Sequence, residues 1–224
     1  MSACTTDYHQ CISIVPIFKG LSVDQMRELS AITSSRLYRK GEMIYHAGDS
    51  RRDLLVIHTG KVKVYRISEE GKEQVIRLVG PGEFLGELSL FSSKKQTDYA
   101  EALEEVQMCV IAWNRLGTLM EKSSSIAFKI MEQLSDRLEQ TERLLEESNL
   151  KSVTQRIVRY LLQEAKSASS VTLSLSKGDL ASLLGMSQET LSRCISMLEQ
   201  KRLIELHGQR GIAILNPKAL AALL

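Results

Sequence analysis

Several patterns that would mark a membrane protein or an enzyme are missing from this sequence. No run of 18 or more apolar residues occurs, so no membrane-spanning helix is expected. The opening MSACTTDYHQC lacks the basic-then-apolar layout of a secretory signal, so the chain is expected in the cytoplasm. The histidines His9, His46, His58 and His207 stand apart, with no His-x-His or His-x-x-x-His. A barrel metal site needs clustered histidines plus a carboxylate, and His46 with His58 does not supply one. No catalytic activity is expected. The cysteines, Cys4, Cys11, Cys109 and Cys194, include no Cys-x-x-Cys. So few cysteines in a cytosolic chain do not make a disulfide framework, which leaves reactive, metal-binding or simply buried thiols. Glycine is absent from 118–148 and proline from 115–148.

What is present describes an ordinary globular protein: 224 residues, 43% apolar and 25% charged. The net charge of +2 hides an asymmetry. From residue 150 onward 10 Lys/Arg face 5 Asp/Glu, whereas residues 1–149 carry 19 against 22. A basic carboxyl-terminal part fits a module that faces phosphates.

Residues 176–200, SKGDLASLLGMSQETLSRCISMLEQ, organise the reading. Leu180, Leu183 and Leu184 have helical spacing over 177–184, and Gly185 can close that helix in the left-handed conformation. Ser187 can cap a second helix, with Glu189 in its first turn. Leu191, Cys194, Ile195 and Leu198 then face inward, and Glu189, Ser192, Arg193 and Ser196 face outward. The outward set has the chemistry of a base reader. Arg193 can pair with a guanine edge, Glu189 can accept from cytosine, and Ser192 can reach a base or a phosphate. Two short helices about a glycine turn form a helix-turn-helix. The strand-like runs 203–206 and 211–215 flank His207-Gly208-Gln209-Arg210, a hairpin placed as a wing.

Upstream, Leu21–Ile32 is expected as an amphipathic helix capped by Ser22, with Met26, Leu29 and Ala31/Ile32 inward. From Arg36 to Trp113 short strands alternate with glycine turns, which suggests an antiparallel barrel or jelly roll. Over 115–148 a long helix is expected. Its stripe of Ile126, Ile130, Leu134, Leu138, Thr141 and Leu145 has no domain core to lie on and points to a helix pair between subunits, with charges such as Arg137 elsewhere on the cylinder. A helix over 151–165 turns Ile157, Val158, Tyr160 and Leu161/Leu162 inward, and Val171–Leu175 is a short strand candidate. The fold class is therefore α+β: an N-terminal antiparallel β-roll (a jelly roll, or double-stranded β-helix) over 1–114, a dimerisation helix over 115–149, and a winged helix-turn-helix over 150–224.

This order resembles the CRP/FNR family of bacterial transcription regulators over nearly the whole chain. The motifs that carry the resemblance are Gly41-Glu42, Ala47-Gly48-Asp49, Gly60-Lys61-Val62, Gly82-Glu83-Phe84, Gly86-Glu87-Leu88 and Glu189-Thr190-Leu191-Ser192-Arg193. A Glu-x-x-Ser-Arg helix is similar to the FNR branch, which reads half-sites of the TTGAT type. The resemblance implies that Glu189, Ser192 and Arg193 contact bases, and that Gln188 contacts backbone or an outer base. It also implies a homodimer on double-stranded DNA, with RNA polymerase as a partner. Family members that bind cyclic AMP follow Gly-Glu-Leu with an Arg-Ser pair that holds the phosphate. Thr97 and Asp98 stand there instead, which removes attraction and adds repulsion, so cyclic AMP is not expected and Gly86-Glu87 is read as a turn kept for the barrel.

The same resemblance singles out Cys109, because FNR-type regulators pair one β-roll cysteine with cysteines near the N-terminus. Cys4, Cys11 and Cys109 then form a redox or cluster constellation, while Cys194 is read as structural. An iron–sulfur cluster is normally held by four cysteine thiolates, so it would need Asp7, His9 or an outside ligand here. A thiol–disulfide switch needs only two thiols and no cofactor, as in the FNR-like proteins of lactic acid bacteria. A regulator that senses a small ligand in the β-roll, its cysteines incidental, is the alternative.

Overall fold

The computed structural model describes residues 18, 21–50, 52–92, 94–165 and 170–224. The chain divides into two compact units, one running to Leu138 apart from Glu73–Val75, the other from Glu139 to Leu224.

The first unit opens with α1 (Val23–Ala31). Ser22 caps it in a capping box: the Ser22 hydroxyl accepts from Gln25 N, and the Gln25 side chain accepts from Ser22 N. Leu29 is fully buried and Met26 and Ile32 pack beside it, whereas Ala31 faces out. Eight strands follow: β1 (Thr33–Tyr38), β2 (Met43–Tyr45), β3 (Asp53–Thr59), β4 (Val62–Ile67), β5 (Glu73–Val79), β6 (Phe84–Leu85), β7 (Tyr99–Ala102) and β8 (Val106–Ala112), with α2 (Glu87–Ser92) between β6 and β7. They form two four-stranded sheets, ordered β1-β8-β3-β6 and β2-β7-β4-β5. The register-assigned pairs, including β1 with β8, β3 with β8 and β4 with β7, are antiparallel. The apolar side chains between the sheets, among them Ile57, Val62, Val64, Leu85, Ala100 and Met108, make the interior of a β-roll. Gly86 is a turn the roll requires. Its φ is +90°, and a Cβ there would lie 2.2 Å from the Asp53 carbonyl oxygen.

A second core lies on the other side of the β1-β8-β3-β6 sheet. Leu54, Val56, Cys109 and Ile111 pack there with Leu29 of α1 and with Leu116 and Leu119 of α3 (Trp113–Lys122). The long helix is not continuous over 115–148. Ser123 is extended (φ −135°, ψ 91°) and separates α3 from α4 (Ser124–Leu150). Its hydroxyl accepts from Gln25 Nε2 of α1 (2.7 Å) and bonds the Ser125 hydroxyl (2.9 Å), so one distant and one local side chain give the break polar partners.

The apolar stripe of α4 also differs from expectation. Ile126 and Ile130 are buried and Leu134 is partly buried, all against the second core of their own chain. The domain does offer these residues a core, contrary to expectation. Among the described side chains of α4, the exposed large apolar ones are Phe128 (67%), Met131 (51%) and Leu138 (60%), centred roughly a third of a turn away around the helix. Thr141 is exposed, and the Leu145 side chain lies outside those described.

The second unit contains α5 (Val153–Ala165), β9 (Ser170–Thr172), α6 (Lys177–Leu183), α7 (Gln188–Gln200), β10 (Ile204–His207), β11 (Gly211–Ile214) and α8 (Pro217–Ala221). Ile157, Val158, Tyr160 and Leu161 of α5 are buried as expected. The β10–β11 hairpin is the wing, and β9 joins it on the β11 edge to make a three-stranded antiparallel sheet.

Candidate nucleic-acid interface and sensor core

Each helix of the 176–200 segment has its own start and stop. The Ser176 hydroxyl accepts from Asp179 N (3.0 Å) to begin α6. At its end Met186 N donates to Ala181 O (2.9 Å) and Gly185 N to Ser182 O (3.1 Å), the paired bonds of a Schellman motif. Gly185 occupies the left-handed position of that motif at φ +65°. The Ser187 hydroxyl then accepts from Thr190 N (3.2 Å) and begins α7 after only four intervening residues. At the far end of α7 the left-handed position falls to Arg202 (φ 54°), a conformation that costs a side-chain-bearing residue energy.

The faces of α7 divide as expected. Leu191, Cys194, Ile195 and Leu198 are buried. Gln188, Glu189, Arg193 and Ser196 are exposed, and Ser192 is half-buried. The first two turns of the helix thus present an amide, a carboxylate, a hydroxyl and a guanidinium, the donors and acceptors that major-groove base edges match. Cys194 is a free, buried thiol that donates to the Thr154 hydroxyl of α5 (3.4 Å).

Cys109 lies on β8, opposite Ser35 of β1 and Val56 of β3, and is 2% exposed. Its sulfur is in a disulfide. Cys4, Cys11, Asp7 and His9 lie outside the described residues. Cys109 shares its core with Phe84 and with Ile126 and Ile130 of α4, so the sulfur packs in the same cluster as the long helix. A sulfur bound to another sulfur is not a thiolate ligand, so Cys109 would ligate an iron–sulfur cluster only after reduction. Among the described residues no three His, Cys, Asp or Glu side chains converge as a metal site.

Inside the roll, Glu87 is buried and held by two arginines. Its Oε1 accepts from Arg77 Nη2 at 2.9 Å and lies 2.7 Å from Arg137 Nη1. Arg137 comes from α4, donates through Nη2 to the Phe84 carbonyl (3.2 Å), and lies 4.5 Å over the Phe84 ring. Burial pulls its pKa down and the Glu87 carboxylate pushes it back up. Sequence spacing gave no sign of this arrangement. Arg137 reads as one more charge on a solvated helix face, and its partner is 50 residues away.

Thr97 and Asp98 occupy the place of the missing Arg-Ser pair. The Thr97 hydroxyl accepts from Arg66 Nη2 (3.2 Å). Asp98 is buried, and its Oδ1 has no hydrogen-bond partner among the described residues. Burial raises the Asp98 pKa most, and Glu87 adds to this. The Tyr45 hydroxyl, Arg77 and Arg66 act in the opposite direction. A buried carboxylate where a phosphate would sit, beside a glutamate already committed to two arginines, does not fit a cyclic nucleotide.

The raised Asp98 pKa predicts a pH effect. The folded chain holds this proton more tightly than the unfolded chain. The stability this gives is complete below the unfolded value, about pH 4, and is lost as pH rises through the folded value. Above the folded value the wild type carries a buried carboxylate whose desolvation Tyr45, Arg77 and Arg66 offset only in part. Asp98→Asn keeps an acceptor for Tyr45, and its thermal midpoint is expected above wild type at pH 7, converging with it near pH 4. Equal midpoints at both pH values would show that the buried charge costs nothing.

A β-roll whose core packs a long helix, in a chain that also carries a capped helix-turn-helix with a wing, defines a DNA-binding transcription regulator. Residues 35–123 match the family described as a cyclic nucleotide-binding domain, and 155–223 match the Crp-like helix-turn-helix domain. The chain is 30% identical over 210 residues to the probable transcriptional regulator flp of Lacticaseibacillus casei, covering 93% of this chain and 95% of that one. It is 26% identical to the fumarate and nitrate reduction regulatory protein of Yersinia pestis, over 90% and 82%. The solved structure of FixK2 from Bradyrhizobium japonicum superposes with a TM-score of 0.75 at 23% identity, over 86% of this chain and 97% of that one. The chain belongs to the CRP/FNR family of transcription regulators. It is a regulator and not an enzyme, and no helix among its described residues is long and apolar enough to cross a membrane.

Proposed function

We propose that the protein is a cytoplasmic homodimer that reads a TTGAT-type palindrome and responds to thiol oxidation through Cys109, acting with RNA polymerase at the promoter. The carrying observation is the Cys109 disulfide, buried in the cluster that also holds Ile126 and Ile130. Reduction returns two thiols and takes up two electrons and two protons, and the proposed consequence is a repacking of the strand around Cys109 against α4, whose Ile126 and Ile130 share its cluster. The exposed Phe128, Met131 and Leu138 give α4 an apolar face for the same helix of a second copy. Repositioned dimer helices then alter the separation of the two recognition helices, which must lie about 34 Å apart to enter successive major grooves on one DNA face. Gln188, Glu189, Ser192 and Arg193 are the proposed DNA contacts, in line with the exposure of Gln188, Glu189 and Arg193 and the partial exposure of Ser192 on the first turns of α7.

The test is a gel shift on a duplex bearing the TTGAT palindrome, with protein reduced under nitrogen or oxidised by air. Two states that bind alike would overturn the redox reading, and no binding in either would overturn the site. Arg193→Ala is expected to weaken the palindrome complex by about 1–3 kcal/mol and to leave random duplex nearly unchanged. An equal loss on both would make Arg193 a phosphate contact.

A further inference from the structure

The first turn of α5 grips both helices of the helix-turn-helix. Arg156 Nη1 donates to the Leu184 carbonyl and to the Gly185 carbonyl (3.2 Å). These two oxygens follow the end of α6. The Schellman bonds satisfy the Ala181 and Ser182 carbonyls and leave the next ones without a helical partner. They also carry the negative end of the α6 dipole, which a guanidinium complements. Two residues earlier on α5, the Thr154 hydroxyl accepts from Cys194 of α7. Between them, Gln155 Nε2 donates to the Leu224 carbonyl (2.8 Å). Three successive side chains therefore tie α5 to the turn, the recognition helix and Leu224 beyond the last helix. Arg156 alone reaches the turn that sets the angle between α6 and α7.

We infer that Arg156 is the positioning residue of the DNA-reading face: it holds the Leu184–Gly185 turn, so that Gln188, Glu189, Ser192 and Arg193 meet base edges in register. This rests on the DNA reading above. Both carbonyls are taken by Arg156 Nη1, while its Nε has no hydrogen-bond partner among the described residues, so the role inferred for the guanidinium is on the turn and not on a phosphate. Its loss leaves those carbonyls without a charged donor and lets α7 tilt, which affects sequence-specific contacts and not the sequence-independent attraction to the backbone.

The test uses the full chain and the highest-affinity duplex that the wild type selects from a random library. Arg156→Met is expected to weaken that complex about 10-fold, the loss of one or two base contacts, while random-duplex affinity and the slope of log affinity against log salt stay as in wild type. Arg156→Lys, which can still donate to a carbonyl, is expected to recover most of the loss and serves as the working variant if the methionine does not fold. Amide hydrogen exchange at residues 184–190 is expected to quicken in Arg156→Met while α5 stays protected. A salt slope shallower by about one would overturn the inference in favour of a phosphate contact. Unchanged selected-duplex affinity, or equal loss on both duplexes by a folded variant, would also overturn it. If the wild type selects no duplex, the DNA reading itself fails; exchange at 184–190 then still decides whether Arg156 holds the turn.

Discussion

Replacing Glu87 with leucine is expected to lower the stability of the N-terminal unit by about 3 kcal/mol, a fall in thermal midpoint of roughly 10 °C. The argument rests on what is left behind. Glu87 Oε1 lies 2.7 Å from Arg137 Nη1 and 2.9 Å from Arg77 Nη2, so its removal leaves two guanidiniums facing each other at a largely buried site. Breaking one partner out of a fully buried pair costs about 3–5 kcal/mol, because the remaining charge is desolvated without compensation. Arg77 and Arg137 keep about a quarter of their side-chain surface in water, which places the expected loss at the low end of that range. Arg137 also retains the Phe84 carbonyl and ring. Two controls separate charge from packing. Glu87→Gln keeps a hydrogen-bond acceptor and is expected to lose less. The triple change Arg77→Met, Glu87→Leu, Arg137→Met removes all three charges and is expected to be more stable than Glu87→Leu alone. Urea unfolding at pH 7 measures both. A Glu87→Leu midpoint within 1 °C of wild type would show that the triad contributes nothing.

That triad also marks where sequence reading stops. Local signals were clear because each is decided within a few residues. Ser22 and Ser187 cap as their spacing implies, Gly185 closes α6, the 203–215 hairpin forms the wing, and the faces of α7 divide as the period of 3.6 requires. The motif Gly86-Glu87 was legible as a turn, yet its glutamate carries a role that only the fold shows, since Arg77 and Arg137 reach it from separate elements. The stripe on α4 was legible only in part for a related reason. Periodicity shows that Ile126, Ile130 and Leu134 share a face but not what covers it, and here their own chain covers it. The break at Ser123 depends on Gln25, 98 residues away, and serines alone do not announce it. Arg156 was missed likewise, because it reads as one cation of a basic domain until the carbonyls of Leu184 and Gly185 are seen in front of it.

Cys109→Ser is expected to abolish the redox dependence of DNA binding, bringing the ratio of reduced to oxidised affinities to one. The energy available is sufficient for a switch. A disulfide typically contributes about 2–4 kcal/mol to the conformation that accommodates it. Shifting a two-state regulator from one part in ten to nine parts in ten takes about 2.6 kcal/mol of differential stabilisation. The position is suitable as well, because Cys109 is flanked by β1 and β3 and packs in one cluster with Phe84, Ile126 and Ile130. Phe84 is the residue on which Arg137 rests, so a shift at Cys109 reaches both the apolar and the ionic attachment of α4. Serine places a hydroxyl in this apolar core and is expected to cost about 1–3 kcal/mol of stability, so Cys109→Val serves as the packing control and should lose the redox response without that penalty. Thiol titration supplies the second readout. The wild type has four cysteines and is expected to lose two thiols on oxidation, with Cys194 remaining free. A Cys109→Ser protein that still binds DNA differently when reduced and oxidised would overturn the Cys109 switch. A variant that loses the response while wild type shows no change in thiol count would place the sensing chemistry on Cys109 without a disulfide.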